Sequence, residues 1–128
     1  MTTNPHALLF VYNADSGLFN TLADMGHKLF SPQTYACALC ALTHGYFTER
    51  EAWRRFVDRL PCRCEFLHRD EFRRRFPSDQ TTLPAVFAIN GERPAVLADA
   101  SRIGACADLH ALQHLIEALC AEMRENAT

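Results

Sequence analysis

The chain contains six cysteines, which could take part in redox chemistry, bind a metal or pack in the core. Two of them, Cys37 and Cys40, are three positions apart. Residues at this spacing share one face of a helix, so their sulfur atoms can approach each other. Backbone N–H groups near the start of a helix stabilise a thiolate. The spacing therefore predicts a redox pair in which Cys37 attacks a disulfide and Cys40 resolves the product. The alternative is that both thiols pack as small hydrophobic side chains.

Cys37 and Cys40 are also candidate metal ligands. A tetrahedral zinc site needs further soft ligands, and the chain offers His44 one helical turn after Cys40, with Cys62 and Cys64 further on. Cys62 and Cys64 alternate on a predicted strand, which directs both sulfurs to one face, although burial under a covering helix explains them equally well. The redox hypothesis needs no cofactor, whereas this alternative requires zinc.

A second candidate site is polar. Asp15 and Ser16 follow a predicted strand over residues 7–12, and open α/β sheets bind ligands at the carboxyl ends of strands, beside helix N-termini. These two residues are therefore candidate substrate-binding residues, with His27 near the end of the next helix as an acid–base partner. The simpler interpretation is that Asp15 and Ser16 cap that helix, because both residue types are preferred N-caps.

Two further polar groups have simple structural interpretations. His110 and His114 are four positions apart and could chelate a metal, but they lie beside the leucine stripe of the last predicted helix, which favours a solvated face.

Between residues 49 and 75, nine arginines and six acidic residues give a net charge of +3. The interspersed acidic residues favour ion-paired surfaces. Nucleic-acid binding is not expected, because the segment matches no known nucleic-acid-binding module.

The composition is that of an ordinary globular chain. Its 128 residues, 48% of them hydrophobic, suffice for one domain spanning 1–128. The net charge of -2 gives no general attraction to nucleic acid or anionic lipid. The longest apolar runs are too short to span a bilayer, and the first residues lack the basic region of a signal peptide. We therefore expect a cytoplasmic protein without a membrane partner, in which Cys106 and Cys120 are packing residues rather than parts of a disulfide framework.

The candidate cysteines and polar residues lie on or between predicted strands and helices. Hydrophobic periodicity, capping residues and turn signals define the elements. The predicted order is strand 7–12, helices 18–29, 34–43 and 48–60, strand 62–67, helix 70–76, strands 84–89 and 95–98 joined by a turn at Asn90 and Gly91, and helix 108–123. Two parallel strands with a helical crossover, followed by an antiparallel hairpin and a covering helix, predict an α/β fold: a four-stranded mixed sheet with helices on both faces.

This order resembles that of the thioredoxin superfamily, and the segment 81–92 (TTLPAVFAINGE) strengthens the resemblance. In that superfamily a proline with a cis peptide bond opens the third strand and faces the redox cysteines. The resemblance implies a thioredoxin-like fold in which Pro84 is this proline and shapes a catalytic site with Cys37 and Cys40. In thioredoxins the Cys-x-x-Cys motif directly follows the first strand, whereas here an inserted helix precedes it.

Three segments also resemble the hallmarks of a family of small bacterial proteins that have a thioredoxin-like fold and no established function. These segments are 11–17 (VYNADSG), 31–45 (SPQTYACALCALTHG) and 66–72 (FLHRDEF). Some members of that family are labelled GTPases. This sequence gives that label no support, because it has no Gly-x-x-x-x-Gly-Lys-Ser/Thr loop and Lys28 is its only lysine.

These expectations lead to two hypotheses about function. The first is a small cytoplasmic thiol–disulfide redox protein that uses Cys37 and Cys40, with another protein or a small thiol as its partner. The alternative is a non-catalytic binding module on the same fold, in which the cysteines are packed or hold a structural zinc ion.

Overall fold

A four-stranded sheet lies at the centre of the residues that the computed structural model describes, which are 7–14, 38–43, 51–89 and 93–126. The strands are β1 (Ala7–Val11), β2 (Arg63–Leu67), β3 (Ala85–Ile89) and β4 (Pro94–Ala98). The helices are α1 (Ala38–Thr43), α2 (Glu51–Arg59), α3 (Arg69–Arg75), α4 (Ala100–Gly104) and α5 (Leu109–Asn126). The predicted helix 18–29 and the predicted turn at 90–91 lie outside the described residues.

The strand order across the sheet is β2-β1-β3-β4. β1 pairs with β2 in parallel, and the β1–β3 and β3–β4 pairs are antiparallel. β1 is buried at all of its positions because it is a central strand covered on both faces, which explains its continuous apolar sequence. The predicted α/β class with a four-stranded mixed sheet is confirmed.

Successive residues of β1 face two different hydrophobic clusters, as the period of two in a strand requires. Phe10 belongs to the larger cluster, to which α1, α2, α4 and α5 also contribute. Leu9 and Val11 belong to the smaller cluster on the other face. There Phe72 of α3 stacks on Phe87 of β3, with ring centroids 5.0 Å apart. Helices therefore cover both faces of the sheet.

Capping side chains mark the starts of the last two helices. The Asp99 carboxylate accepts a hydrogen bond from the Arg102 backbone N–H at 2.9 Å at the start of α4, and Asp108 does the same for Ala111 in α5. The sequence patterns predict α5 but not α4, because a helix of 5 residues is too short to show a hydrophobic period. Even α5, with 18 residues, is not apolar enough to cross a membrane, and the same holds for each of the other described helices.

Candidate functional site

The carboxyl ends of β1 and β2 meet at one edge of the sheet, which is where open α/β sheets bind ligands. The Tyr12 backbone N–H donates to the Leu67 carbonyl at 3.0 Å, and the Arg69 backbone N–H donates to the Ala14 carbonyl at 2.9 Å. The chain after β1 therefore stays beside the chain after β2 beyond the last residues of both strands. We call this region, made of residues 12–14, 68–71 and 84, the proline edge.

Pro84 lies at the proline edge because it directly precedes β3. Ala85, the first residue of β3, pairs with Val11, the last residue of β1, so the register brings Pro84 to the level of Tyr12. The Leu83–Pro84 peptide bond is cis, which confirms the geometry expected for this proline. Pro84 is buried.

A side chain of α3 holds the loop that leads to Pro84. The Arg73 guanidinium donates to the Asp79 carbonyl and, at 3.0 Å, to the Thr81 carbonyl. The Asp79 carboxylate accepts hydrogen bonds from the Thr81 backbone N–H at 3.0 Å and from the Thr81 hydroxyl at 2.6 Å. Because a guanidinium carries several donors in one plane, it can hold two carbonyls of one loop at once. These three residues therefore fix the approach to Pro84.

His68 and Glu71 form a pair at the proline edge that the sequence analysis does not single out. Nδ1 of His68 lies 3.0 Å from Oε1 of Glu71, and this same oxygen accepts the His68 backbone N–H at 2.7 Å. The backbone hydrogen bond is the main reason that the pKa of Glu71 lies below its ordinary value, and the imidazole lowers this pKa further. A carboxylate at Nδ1 orients an imidazole for proton transfer at Nε2, so the pair is a candidate acid–base group.

The signal for this pair is present in the sequence. Glu71 occupies the third position of α3, and His68 is the N-cap residue, which is the spacing of a capping box. The His68 ring also lies 5.7 Å from the Tyr12 ring, centroid to centroid, which places the imidazole against the end of β1. A histidine is an unusual N-cap, so the spacing is easily overlooked.

The described residues include Cys40 of the predicted redox pair and no residue of the predicted polar site. Cys37, Asp15, Ser16, His27 and His44 lie outside them. Cys40 lies in α1, and its neighbour Leu39 is buried in the same cluster as Tyr12 and Ala14. α1 therefore packs on the Tyr12 face of the sheet, where it contacts α4 and α5.

Cys62 and Cys120 form a disulfide bond, which corrects two expectations from the sequence. The patterns predict Cys62 to be a strand residue or a zinc ligand and Cys120 to be a packing residue outside any disulfide. Cys120 is buried in the core as expected, but it is also bonded to Cys62. Their Cα atoms lie 6.2 Å apart, within the span of a disulfide, although the residues are separated by 58 positions. A sulfur atom in a disulfide has no thiolate to offer a metal, so Cys62 leaves the predicted zinc set while this bond is formed.

Cys64 and Cys106 are free thiols. Burial raises the pKa of the Cys64 thiol to about 11, and this thiol donates a hydrogen bond to the Cys62 carbonyl at 3.7 Å. Burial also raises the pKa of Cys106. Because the thiolate is the nucleophile and the metal ligand, neither residue is activated. Within the described ranges, no three His, Cys, Asp or Glu side chains are grouped so that they could hold a metal ion.

The histidine pair and the arginine-rich segment have the features of surface groups. His110 and His114 are exposed, with ring centroids 4.6 Å apart. The arginine-rich segment forms ion pairs that include Arg55–Glu51 at 3.0 Å, Arg63–Glu65 at 3.4 Å, Arg74–Asp70 at 3.5 Å and Arg75–Glu65 at 3.2 Å. These pairs support the interpretation of residues 49–75 as ion-paired surface rather than as a site for a polyanion.

Comparisons of this chain with protein-family models, with curated proteins and with solved structures found no match. The resemblances to thioredoxins and to the bacterial family therefore stay predictions. The function has to be argued from the residues and their arrangement.

Proposed function

We propose that this chain is a thiol–disulfide redox protein with a thioredoxin-like fold, in which Cys37 and Cys40 are the redox pair and Pro84 shapes the site. The observation that carries the proposal is the strand order β2-β1-β3-β4, with a parallel β1–β2 pair and an antiparallel β3–β4 pair. This order supports the thioredoxin-like topology expected from the succession of elements along the chain.

The packing of α1 supports a position for Cys40 towards the proline edge. Ala98, the last residue of β4, pairs with Val86, which is close to the start of β3. α4 begins two residues after Ala98, at the end of the sheet where Pro84 lies. Because α1 contacts α4, the helix that carries Cys40 approaches this end of the sheet. Such packing would offset the separation that the inserted helix introduces between β1 and the cysteine pair.

The proposed reaction is a two-step disulfide exchange. The Cys37 thiolate attacks one sulfur of a substrate disulfide, a mixed disulfide forms, and the other substrate sulfur leaves as a thiolate. The Cys40 thiolate then attacks the Cys37 sulfur, which releases the second substrate thiolate and leaves a Cys37–Cys40 disulfide. The substrate gains two electrons and the cysteine pair loses two, so no cofactor is needed. A partner protein or small thiol regenerates the pair by the reverse exchange.

Polar residues around the proline edge are the proposed contacts for the substrate. Asp15 and Ser16 directly follow Ala14, a residue of the proline edge, in the sequence. His27 is the acid–base partner expected from the sequence. His68, which Glu71 orients, offers the same chemistry at the proline edge itself, and it is the stronger candidate.

Mild oxidation of the reduced chain tests this proposal. The intact mass should fall by about 2 Da for each bond formed, peptide mapping should find a Cys37–Cys40 bond, and a thiol buffer should reverse the change. Cys37→Ser and Cys40→Ser should each abolish this exchange, whereas Cys106→Ser should keep it. Unreactive Cys37 and Cys40 in the folded protein, or stoichiometric zinc that survives dialysis, would contradict the proposal.

A non-catalytic binding module on the same fold is the second candidate function. The Cys62–Cys120 disulfide and the buried Cys64 thiol favour it, because in both arrangements cysteine contributes to packing rather than to chemistry. Under this candidate Cys37 and Cys40 are packed, or they hold zinc with His44 and Cys64. The oxidation experiment separates the candidates, because a module leaves Cys37 and Cys40 unreactive. We propose a cytoplasmic location for either function.

A further inference from the structure

A groove lies between the C-terminal end of α2 and the last turns of α5. Its volume of about 480 Å³ is within the range of small-molecule sites. Phe56, Leu60 and Pro61 line it on the side of α2, and Ala121 lines it on α5. The groove is thus wide enough for a molecule the size of a short peptide, and part of its wall is apolar.

The charged residues of the groove favour an anionic ligand. Arg59 of α2 and Arg124 of α5 line the groove together with Glu117, which leaves one net positive charge. Within the described part of the chain neither arginine has an ion-pair partner, in contrast to Arg55 and Arg74. Because a guanidinium binds a carboxylate through two parallel hydrogen bonds, the two arginines suit a ligand that carries carboxylate groups.

The Cys62–Cys120 disulfide adjoins this groove. Cys120 is one of the lining residues, and Cys62 directly follows the lining residue Pro61. Cys120 is only 2% exposed, whereas Cys62 is partly exposed. Cys62 lies beside the lining residue Pro61 rather than in the lining itself, and because it is the more exposed of the two cysteines, the first attack is assigned to its sulfur.

We infer that the groove binds a small thiol carrying carboxylate groups and that this thiol reduces the Cys62–Cys120 disulfide. The ligand thiolate attacks Sγ of Cys62, forms a mixed disulfide with it and releases Cys120 as a thiolate, which takes a proton from water. A second thiolate then attacks the ligand sulfur of the mixed disulfide. The products are the oxidised dimer of the thiol and a protein with reduced Cys62 and Cys120. Two thiols supply the two electrons.

Cys64, the described free thiol that is closest to Cys62 in the sequence, does not compete with this reaction. Cys64 lies two positions from Cys62 and could in principle attack the same bond from within the protein. Burial raises the pKa of Cys64 to about 11, so the group stays protonated at neutral pH and is a poor nucleophile. The disulfide is therefore expected to react with an external thiol that enters the groove rather than with Cys64.

Two thiols of different charge test the inference. The full chain with Cys37→Ser and Cys40→Ser is first oxidised and then treated with reduced glutathione, which carries carboxylates, or with neutral 2-mercaptoethanol. We expect intact mass and peptide mapping to show glutathione bound to Cys62 and then loss of the bond. The same mapping on the natural sequence controls for the folding of the double variant. Because this variant lacks Cys37 and Cys40, the experiment can succeed or fail whether or not these two cysteines are a redox pair.

Charge variants of the groove provide the specific measurement, which is the glutathione rate divided by the 2-mercaptoethanol rate. Arg59→Gln and Arg124→Gln should each lower this ratio by about threefold at low ionic strength, and Glu117→Gln should raise it. Added salt should shrink these differences. Arg74→Gln, on the helix that covers the opposite face of the sheet, is the matched control and should leave the ratio unchanged.

Three results would overturn the inference. The first is a Cys62–Cys120 bond that reacts with neither thiol in the folded protein. The second is a bond that is reduced only after unfolding in urea. The third is a rate ratio that stays the same in all three groove variants, which would make the disulfide generally accessible rather than the target of a bound anionic thiol.

Discussion

The proline edge and the groove beside Cys62–Cys120 are held together in different ways. At the proline edge and in the loop before it, several hydrogen bonds join residues that are near in the sequence, such as His68 with Glu71 and Arg73 with Thr81, as well as distant ones, such as Arg69 with Ala14. Beside the groove, one covalent bond joins Cys62 and Cys120, which are 58 positions apart. The first region therefore depends on several contacts of about 1–3 kcal/mol each, and the second depends on a single constraint.

This difference makes the two regions sensitive to different conditions. The ionised Glu71 carboxylate is a stronger hydrogen-bond acceptor than the protonated group, so the contacts between His68 and Glu71 respond to pH. These contacts contain no sulfur and do not respond to reductants. The Cys62–Cys120 disulfide responds to added thiols, and in their absence moderate changes of pH leave it intact. A perturbation that affects one region and not the other therefore tests whether the two are independent.

Removal of the disulfide should produce the largest change in stability. Cys62→Ala with Cys120→Ala frees the unfolded chain from a long loop constraint, which should lower the free energy of unfolding by about 2–4 kcal/mol. Urea unfolding, followed by circular dichroism, measures the change. In a background of Cys37→Ser and Cys40→Ser, which removes the proposed redox pair, reductant should lower the stability of the chain with Cys62 and Cys120 to a similar extent and should leave the Cys62→Ala, Cys120→Ala variant unaffected.

Cys106→Ala is the control for this prediction, because Cys106 is a free thiol that packs against the same cluster. It should keep the full response to reductant. If the double variant were as stable as the natural sequence under oxidising conditions, the disulfide would not constrain the fold, and the contrast between the two regions would be lost.

Arg73→Gln should have an intermediate effect that is confined to the loop before Pro84. The substitution removes the charged donor for the Asp79 and Thr81 carbonyls, which should cost about 1.5–3 kcal/mol. Arg74→Gln, one position along α3, loses an exposed ion pair with Asp70 and should cost about 0.5 kcal/mol or less. Urea unfolding with and without reductant measures both changes. Equal losses in the two variants would show that Arg73 does not hold the loop before Pro84.

The two regions also differ in how far the sequence predicts them. The sheet and the position of Pro84 are predictable because their signals are local: apolar runs, the turn at 90–91 and the helix periods between them. The His68–Glu71 pair has a local signal too, in the capping-box spacing. The disulfide has none, because six cysteines allow many pairings and only the tertiary packing of α5, which contacts α2 and brings Cys120 beside Cys62, selects one.

The same reasoning explains the two wrong expectations. Cys120 lies on the apolar stripe of α5, so its sequence neighbourhood indicates only packing. Cys62 alternates with Cys64, so the pattern predicts that both side chains share one face of a strand. It gives no information about a disulfide partner in another element. α4 is missed for a different reason, since its single turn follows from the Asp99 cap and not from a hydrophobic period.

Glu71→Gln should have the smallest effect, and its sign depends on pH. The folded state holds the pKa of Glu71 below its ordinary value. A lowered pKa in the folded state means that the carboxylate stabilises the protein above its unfolded pKa, and that this contribution is lost as the pH falls through the folded value. The variant should therefore be less stable than the natural sequence at pH 7, by about 1 kcal/mol or less, and the difference should shrink as the pH falls below the ordinary pKa of glutamate.

Urea unfolding at pH 7 and at about pH 3, which is below the ordinary pKa of glutamate, checks this sign. Glu122→Gln on the exposed side of α5 controls for the loss of a negative charge without the loss of a cap. The difference between Glu71→Gln and the natural sequence should be the same with and without reductant, because the proline edge does not depend on the disulfide. A difference that grows when Cys62–Cys120 is reduced would instead show that the two regions are coupled through β2, which lies between Cys62 and His68.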